Sequence, residues 1–356
     1  MSNLIYLNYY EKIDTKKTYY LAGFDLDWTI IKTKSGNVFP KDKSDWEVWD
    51  PKVSSKLKEL SEDPNCLIVF VSNQKGIGVP NKKFLSVKEF KEKINSIHKS
   101  LGVNFIFIAS LHDDIYRKPR VGSIDFLLEK EAINVNIKKS FYVGDMAGRP
   151  GDKTDTDIKF AKNLNVTFYT PEEFFLGDKS TENYKLTGYL LDNNTKNTKI
   201  NIKPEDNTMI IISGYPGSGK SHLAQKLTNE HNGKAFKLYS RDLLQNKFHK
   251  KLGEAMELGE PVIVEGLYPS NQSRQEIKSL AEKYHYNTIY IHVKTAYELA
   301  YHLNLYRSLF EDKGKVPEIV YMKYRKSFEY PDEDDWNEII EYHPHISRKI
   351  NKFYLF

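Results

Sequence analysis

Gly214-Tyr-Pro-Gly-Ser-Gly-Lys-Ser221 is the stretch that decides the fold of the second half of this sequence. It fits the pattern of Gly, four residues, Gly, Lys and then Ser or Thr, which is typical of loops that bind phosphate groups. The apolar run at 209–213 predicts a buried strand before the loop, and residues 221–227 have helical spacing. Because the context is strand, loop and helix, we expect a phosphate-binding loop and not an ordinary Gly-Pro turn.

The residue types of this loop suit a nucleoside triphosphate. Glycines allow successive main-chain N–H groups to point at phosphate oxygens beside a helix N-terminus. Lys220 would reach the outer phosphates, and the Ser221 hydroxyl would bind magnesium. ATP and magnesium are therefore the predicted cofactors. The predicted cofactor-binding residues are Gly214, Tyr215, Pro216, Gly217, Ser218, Gly219, Lys220 and Ser221.

Length, charge and cysteine content limit the number of domains, the kind of partner and the cellular compartment. A chain of 356 residues exceeds what one core usually holds, so two domains are expected. Its net charge of +5 permits a nucleic acid partner without requiring one. The single cysteine, Cys66, excludes a disulfide within the chain and favours an intracellular protein. Neither a signal peptide nor an apolar run of the ~20 residues that a membrane span needs is visible in the sequence.

Two carboxylates close the first strongly apolar stretch, 21–24. Asp25 and Asp27 follow it two residues apart. At the C-terminal end of a strand, such a pair can bind a metal and act together on a substrate. Taken alone, the pair would fit a solvated turn better than a catalytic site.

Asp25, Asp27 and Thr29 form the pattern Asp-x-Asp-x-Thr, which resembles the signature of haloacid-dehalogenase-type phosphatases. The resemblance implies that Asp25 attacks phosphorus to form a phospho-aspartate. It also implies that Asp27 protonates the leaving oxygen and then activates water. Trp28 stands where glycine is common in this family. This departure leaves open how wide the entrance beside the nucleophile is, and it removes no catalytic group.

Further polar residues follow predicted strands in the order that this family shows. Ser72 corresponds to the family's hydroxyl that binds the transferred phosphoryl group, and Lys118 would offset charge on the phospho-aspartate. Asp145 corresponds to a metal-binding aspartate. Asp25, the Asp27 carbonyl and Asp145 are hard oxygen ligands, so magnesium is expected. An additional acidic residue near the metal is left open among Asp152, Asp155 and Asp157, one of which would equally serve as a helix N-cap.

The second half contains further candidates for kinase chemistry. Asp242 would accept the proton of an attacking hydroxyl, and Arg241 beside it would grip a substrate phosphate. Glu265 ends another predicted strand. Arg307 lies in a predicted helix over 297–309 and would act as an arginine finger on a mobile lid, or else as an ordinary surface residue.

The assembled motifs resemble the bifunctional polynucleotide kinase 3′-phosphatases of eukaryotes over about residues 21–331. Beyond the generic signatures, this resemblance is based on Ala22-Gly-Phe-Asp-Leu-Asp27, Ser72-Asn-Gln-Lys-Gly-Ile-Gly78, Val143-Gly-Asp-Met-Ala-Gly-Arg-Pro150 and Tyr324-Arg-Lys-Ser-Phe-Glu329. It implies an α/β fold of two doubly wound domains with parallel sheets. The phosphatase domain would cover 1–180, a linker 181–206, and the P-loop kinase domain 207–356.

That resemblance implies removal of 3′-phosphates and ATP-dependent phosphorylation of 5′-hydroxyl ends, which leaves ends that a DNA ligase can seal. DNA ends are the expected partner, with RNA ends as the alternative. The protein is expected to be a monomer, located in the nucleus or, if viral, in the infected-cell cytoplasm. No forkhead-associated module is expected before residue 20. Glu265, where the family usually has Asp, and Leu305, where it often has Arg, are departures in the kinase half.

Basic side chains are candidates for holding the sugar-phosphate backbone, and each fits an ordinary solvated charge as well. Arg117 and Arg149 are assigned to a 3′ end, and Arg241 and Arg274 to a 5′ end. Asn73, a neutral amide, is a further predicted substrate-binding residue. Base-specific recognition is not expected. Two rival hypotheses stay open: a small-metabolite phosphatase fused to a nucleotide or sugar kinase, and a non-catalytic scaffold.

Overall fold

The computed structural model describes residues 3–79, 84–180, 184–191, 198–229, 233–347 and 349–356, without the side chains of Asp242 and Asn351. They form two compact units. Unit 1 is Met1–Leu190 with Phe353–Phe356, and unit 2 is Leu191–Lys352. The predicted boundaries at 180 and 207 differ from this division, because Thr187 donates its N–H to Asp155 of unit 1. The predicted domain 207–356 differs as well, since residues 353–356 pack on unit 1.

Unit 1 alternates strands and helices along the chain. Its strands are β1 (Leu4–Asn8), β2 (Thr18–Phe24), β3 (Ile31–Lys32), β4 (Glu47–Val48), β5 (Cys66–Asn73), β6 (Ile106–Ser110), β7 (Asn134–Val135), β8 (Phe141–Val143) and β9 (Thr167–Tyr169). Its helices are α1 (Pro51–Ser61), α2 (Val87–Leu101), α3 (Gly122–Glu131) and α4 (Thr156–Leu164), with a 3-10 turn at Ile137–Lys139 and a π turn at Glu172–Leu176.

The main sheet of unit 1 has the order β1-β6-β5-β2-β8-β9, and β7 also pairs with β2. Every pair along this order is parallel except β1 with β6. Phe24 of β2 lies opposite Phe70 of β5 on one side and Val143 of β8 on the other. Since parallel strands end at the same edge, the residues after β2, β5 and β8 converge there.

Helices cover both faces of this sheet. Ala22 and Phe24 belong to one buried cluster, which also contains apolar residues of α1 and α2. Leu21 points to the opposite face and belongs to a second cluster with residues of α3 and α4. The side chains of a strand alternate between faces, so β2 contributes to both cores. Each fully buried large apolar side chain contributes roughly 1.5–3 kcal/mol to stability.

Unit 2 repeats the alternation. Its strands are β10 (Thr208–Ser213), β11 (Lys237–Ser240), β12 (Val262–Glu265), β13 (Asn287–Val293) and β14 (Glu338–Tyr342). Its helices are α5 (Lys220–Leu227), α6 (Arg241–Leu244), α7 (Phe248–Glu257), α8 (Asn271–Lys283), α9 (Tyr297–Phe310) and α10 (Glu318–Ser327), with 3-10 turns at Gln245–Lys247, Glu333–Asp335 and Ile350–Lys352.

The sheet of unit 2 has the order β11-β12-β10-β13-β14, and all its pairs are parallel. Met209 and Ile211 of β10 pack in a cluster with residues of α7 and α8, whereas Ile210 and Ile212 pack in another with residues of α5. The prediction of two doubly wound α/β domains with parallel sheets is therefore confirmed. Among the helices that the structure describes, none has the length and apolar character to cross a membrane.

Candidate active sites

Three carboxylates meet at the carboxyl edge of the sheet in unit 1. Asp25 directly follows β2, Asp145 follows β8, and Asp157 lies in the first turn of α4. Each offers one oxygen, and these oxygens lie within 4.8 Å of one another. Such a cluster of hard oxygen ligands fits a divalent cation of the magnesium type.

Lys118 is the cation at the centre of this cluster. Its side chain is 2% exposed, and its Nζ lies 2.5 Å from Oδ1 of Asp25 and 2.8 Å from Oδ1 of Asp157. The same Nζ donates to the Tyr142 hydroxyl at 2.7 Å. Burial lowers the pKa of Lys118, but Asp157 and Asp25 outweigh burial and raise it above its usual value. Lys118 is therefore a permanent positive charge.

One lysine leaves the three carboxylates with excess negative charge. Burial raises the pKa of Asp25 to about 7, although Lys118 opposes the shift. Burial also raises the pKa of Asp145 to about 9, and repulsion from Asp25 adds to the shift. Carboxylates crowded in this way favour a bound cation, because a second positive charge removes their mutual repulsion. The charge balance thus agrees with the oxygen ligands in fitting magnesium.

Asp27 lies outside this cluster and lines a cavity. Its carboxylate accepts a hydrogen bond of 2.6 Å from Nε2 of Gln74, which also donates to the Ser72 hydroxyl at 2.9 Å. The ammonium of Lys93, buried on α2, lies 3.9 Å from Oδ1 of Asp27. The sequence analysis did not single out Gln74 or Lys93. Gln74 follows Ser72 and Asn73 within the string 72–78 that carries the family resemblance, and this position was the available signal.

Asn73 holds the Lys118 segment in place. Its Nδ2 donates to the Lys118 carbonyl at 3.1 Å, and its Oδ1 accepts the Lys118 N–H at 2.9 Å. Both ends of the amide are thus engaged by one residue. These contacts position Lys118, and the substrate-binding role of Asn73 stays a prediction.

The structure distinguishes the three aspartates that the sequence analysis left open. Only Asp157 joins the carboxylate cluster within the described part of the chain. Asp155, at the N-cap position of α4, makes no capping hydrogen bond there but accepts the N–H of Thr187 at 2.5 Å. Asp152 accepts the N–H groups of Ala147 and Arg149, each at 3.0 Å. Asp155 and Asp152 therefore shape the loop, while Asp157 faces the reacting centre.

Arg149 stabilises the loop that follows β8. Its guanidinium contacts Asp152 at 3.1 Å and Glu172 at 2.9 Å, and it donates to the Asp145 carbonyl at 2.9 Å. These contacts use all three of its nitrogens. These contacts fix the Asp145 segment, and the substrate-binding role of Arg149 stays a prediction.

Arg117 differs from Arg149. It lines a cavity of about 940 Å³ together with Asp27, Lys93 and the aromatic rings of Phe39 and Phe84. Its Nη1 is buried and has no hydrogen-bond partner in the described part of the chain. A buried guanidinium nitrogen without a partner fits an anionic ligand. The role of Arg117 in binding substrate stays a prediction.

Trp28 adopts a backbone conformation that usually belongs to glycine. Its φ is 62°, in the left-handed region, and its side chain is 37% exposed. That conformation costs an L-residue roughly 1–2 kcal/mol, which explains why glycine is common in motifs of this type. Trp28 therefore keeps the left-handed turn after Asp27, and its backbone is strained there.

In unit 2 the phosphate-binding loop lies between β10 and α5, as predicted. Gly217 and Gly219 have φ of 75° and 98°. A Cβ on Gly217 would lie 2.7 Å from the Ala300 carbonyl of α9, so a side chain at 217 would push this helix away. Nζ of Lys220 donates to the carbonyls of Gly214 at 2.9 Å and Tyr215 at 2.6 Å. The loop curls around the ammonium in the manner that suits a nucleotide phosphate.

Ser221 and Glu265 form the candidate metal position of unit 2. The Ser221 hydroxyl donates to Oε1 of Glu265 at 2.8 Å. Glu265 ends β12 beside Ile212 of β10, which places its carboxylate at the edge where the loop begins. The longer side chain of Glu at this position therefore still reaches the serine.

Four other residues that were singled out in the kinase half lie on two helices, α6 and α9. Arg241 begins α6, is exposed, and lies 3.3 Å from Glu276. Asp242 follows it in the same helix, but its side chain is outside the described part of the structure. On α9, Leu305 is buried, while Nη2 of Arg307 donates to Asn304 at 3.3 Å.

Arg274 does not face solvent or a cleft. It is 2% exposed and donates to the carbonyls of Tyr268 at 3.0 Å, Pro269 at 3.2 Å and Glu329 at 2.8 Å. These contacts give the buried guanidinium a structural role, since it joins the carbonyls of three residues. The substrate-binding role of Arg274 stays a prediction.

The two folds define the class of this protein as a haloacid-dehalogenase-like unit followed by a P-loop unit of the kinase type. The model of the polynucleotide kinase 3 phosphatase family matches residues 20–175. The bifunctional polynucleotide phosphatase/kinase of Schizosaccharomyces pombe is 35% identical over 339 residues, which covers 93% of this chain and 80% of that protein. This chain belongs to the bifunctional polynucleotide phosphatase/kinase family, as the resemblance in its sequence predicted.

Two further comparisons concern the first half of the chain. A polynucleotide 3′-phosphatase of Saccharomyces cerevisiae is 33% identical over 208 residues, covering 44% of this chain and 87% of that protein. Among solved structures, D,D-heptose 1.7-bisphosphate phosphatase from B. bronchiseptica aligns with a TM-score of 0.34 and 16% identity. That alignment covers 47% of this chain and 92% of the other.

Proposed function

We propose that unit 1 removes 3′-phosphates from nucleic acid ends and that unit 2 phosphorylates 5′-hydroxyl ends, so that the chain prepares strand breaks for ligation. The observation that carries the proposal is the position of Lys118 between Asp25 and Asp157 at the carboxyl edge of the sheet. A nucleophilic carboxylate, a fixed cation and a site for a metal are what phosphoryl transfer to an aspartate requires.

In the first step, a carboxylate oxygen of Asp25 attacks phosphorus, and the bond from phosphorus to the 3′-oxygen breaks. Asp27 gives its proton to that leaving oxygen, so the end departs as a 3′-hydroxyl. Asp27 then accepts a proton from the water that hydrolyses the phospho-aspartate. Gln74 holds the carboxylate of Asp27 beside the cavity through its hydrogen bond of 2.6 Å.

Asp25, Asp145, Asp157 and the Asp27 carbonyl would hold magnesium in unit 1. When bound, the ion supplies positive charge that offsets the phosphoryl oxygens. Lys118 supplies positive charge beside Asp25, and the Ser72 hydroxyl is a donor for the phosphoryl group. Arg117 and Lys93 line the cavity beside Asp27, where their charges suit a phosphodiester backbone.

In unit 2, Lys220 and the main-chain N–H groups of the loop would hold the phosphates of ATP. Ser221 and Glu265 would hold the accompanying magnesium ion. Asp242 would accept the proton of the 5′-hydroxyl, and Arg307 on α9 would stabilise the charge that develops during transfer. The role of Asp242 is a prediction from the sequence.

We infer a preference for DNA ends, with RNA ends as the alternative, and a monomeric enzyme whose products a DNA ligase seals. An intracellular site of action, in the nucleus or in the cytoplasm of an infected cell, belongs to the same proposal. The mixed cation and aromatic lining of the cavity beside Asp27 favours a nucleic acid strand over a compact metabolite.

The test uses one oligonucleotide with a 5′-hydroxyl and a 3′-phosphate, in DNA and RNA versions, with magnesium present or chelated. We expect Asp25→Asn to abolish phosphate release and retain 5′ phosphorylation, and Lys220→Met to have the reverse effect. Chelation should abolish both activities. Equal turnover of free nucleoside 3′-phosphates would instead support the small-metabolite hypothesis, and loss of both activities in either folded variant would contradict two independent sites.

A further inference from the structure

We propose that residues 353–356, which return to unit 1 after unit 2, act as a strap that positions Lys118 and Asp157 for phosphoryl transfer. The inference goes beyond the 3′-phosphatase activity proposed above and rests on it. Residues 353–356 contain no recognisable sequence motif, so the inference depends on their contacts in the structure.

Three side chains of unit 1 bind three successive main-chain oxygens of the strap. Nδ2 of Asn163 donates to the Tyr354 oxygen at 2.8 Å, and Nε of Arg120 donates to the Leu355 oxygen at 3.0 Å. Nζ of Lys159 donates to the Phe356 oxygen at 2.7 Å. The Tyr354 N–H also donates to Oδ1 of Asn163 at 2.8 Å. This pattern is a built peptide site with one side-chain donor for each of Tyr354, Leu355 and Phe356.

The side chains of the strap fix its position as well. Leu355 is 3% exposed. The Lys159 ammonium lies 5.8 Å from the ring centres of both Tyr354 and Phe356, a distance at which a cation attracts an aromatic face. A Cβ on Gly188 would lie 2.6 Å from the Phe356 ring, so the ring rests directly on the main chain there.

Each donor in this peptide site is connected to the catalytic cluster by a short path. Nδ2 of Asn163 also donates to the carbonyl of Pro119, the neighbour of Lys118, at 2.7 Å. Arg120 follows Pro119 and anchors the preceding turn by donating to the Asp114 carbonyl at 2.6 Å. Asn163 is thus a positioning residue that binds the strap on one side and the Lys118 segment on the other.

Lys159 connects the strap to the opposite side of the cluster. It lies on α4 two residues after Asp157, and its Nζ also contacts Asp155 at 3.0 Å and the Thr187 carbonyl at 2.8 Å. Asp157 and Lys118 meet at 2.8 Å, and the strap contacts the segments that carry both. Releasing the strap would therefore loosen both the segment that carries Lys118 and the helix that carries Asp157.

The experiment measures both activities of the full chain in Leu355→Asp and Asn163→Ala. Leu355→Asp places a charge in the buried strap, and Asn163→Ala removes the bridge to Pro119. We expect kcat for 3′-phosphate release to fall about 10- to 100-fold with little change in KM, because small misplacement of catalytic groups costs turnover. Kinase turnover should remain near the parent's. Lys162→Ala, on an exposed position of α4, is the matched control.

A second arm separates positioning from general stability. A synthetic peptide with the sequence of residues 351–356, added to Leu355→Asp, should restore part of the lost kcat, and the same peptide with Asp at position 355 should not. Parental kcat in both variants would overturn the proposal. So would a loss that only follows the folded fraction measured by circular dichroism. A parent chain that releases no 3′-phosphate would instead contradict the proposed function itself.

Discussion

Asp157 and Gly144 lie so close together that a Cβ built on Gly144 would sit 2.5 Å from the carboxyl carbon of Asp157 and from one of its oxygens. Such a distance is impossible, so any side chain at 144 must displace the carboxylate that pairs with Lys118. Gly144→Ala should therefore lower 3′-phosphatase turnover by about 100-fold, in line with a displacement on the order of 1 Å. A coupled assay of phosphate release and 5′ phosphorylation measures this loss.

The matched control for this substitution is Gly102→Ala. Gly102 has φ of 64° at the end of α2, with open space where a Cβ would lie. This variant should lose some stability through its backbone and keep full phosphatase turnover. Equal activity losses in the two variants would contradict a specific displacement of Asp157.

Asp157→Asn should impair the phosphatase more than Asp152→Asn does. Oδ1 of Asp157 accepts from Lys118, whereas Oδ2 of Asp152 accepts main-chain N–H groups of the loop. We expect Asp157→Asn to raise the magnesium concentration for half-maximal activity about 10- to 100-fold. A magnesium titration of phosphate release measures the difference, and a larger shift in Asp152→Asn would reverse the assignment.

Arg274→Ala should destabilise unit 2 without a specific defect in 5′-end binding. The substitution removes the guanidinium donor from the buried carbonyls of Tyr268, Pro269 and Glu329. The Ser213 hydroxyl still donates to the Tyr268 carbonyl and the Glu329 N–H to the Pro269 carbonyl, whereas the Glu329 carbonyl loses its donor. Leaving a buried acceptor unpaired costs about 1–3 kcal/mol, so a loss of about that size is expected. The urea midpoint of kinase activity reports it, with the exposed Arg241→Ala as a control that should change stability little. An unchanged midpoint with a raised KM for 5′ ends would support the predicted substrate role.

Unit 2 should lose stability as the pH falls from about 6.5 to about 4. Burial lowers the pKa of His302 to about 4, and its Nε2 lies 3.0 Å from the Ile350 carbonyl. The unfolded chain then binds a proton at a higher pH than the folded one, so protonation favours unfolding over that range. The full shift corresponds to about 3 kcal/mol.

His302→Gln tests this pH dependence, because glutamine can still donate to Ile350 but does not titrate. Thermal melts from pH 4 to 7.5 should show a shallower acid decline in this variant than in the parent. His292, whose pKa burial also lowers to about 4, should account for part of the slope that remains. Identical slopes in both proteins would refute the assignment to His302.

The sequence allowed the reacting edge of unit 1 to be predicted, because strand ends have a simple signature. Asp25 and Asp145 each follow a short apolar run, and parallel strands bring such ends together. The choice of Asp157 over Asp152 and Asp155 was beyond the sequence. The three differ in tertiary partners and not in residue type or local pattern.

Burial and long-range contacts account for what the sequence could not indicate. Arg274 has the same charge as the exposed Arg241, and only the fold shows that carbonyls surround it. Gln74 and Lys93 became visible as partners of Asp27 only after α2 was packed on the sheet. The contact of Asn163 with Tyr354 joins positions 191 apart in the chain, which no local motif encodes.

Because residues 353–356 follow unit 2 in the chain, they are translated after it, although they belong to unit 1. A ribosome must finish Leu191–Lys352 before this segment exists, a delay of roughly 10 to 30 seconds at ordinary rates of translation. During that interval Arg120, Lys159 and Asn163 of the phosphatase half cannot yet donate to the main-chain oxygens of the strap. The half that is translated first is therefore completed last, and the proposed contribution of the strap to 3′-phosphate release becomes available only after unit 2 has been synthesised.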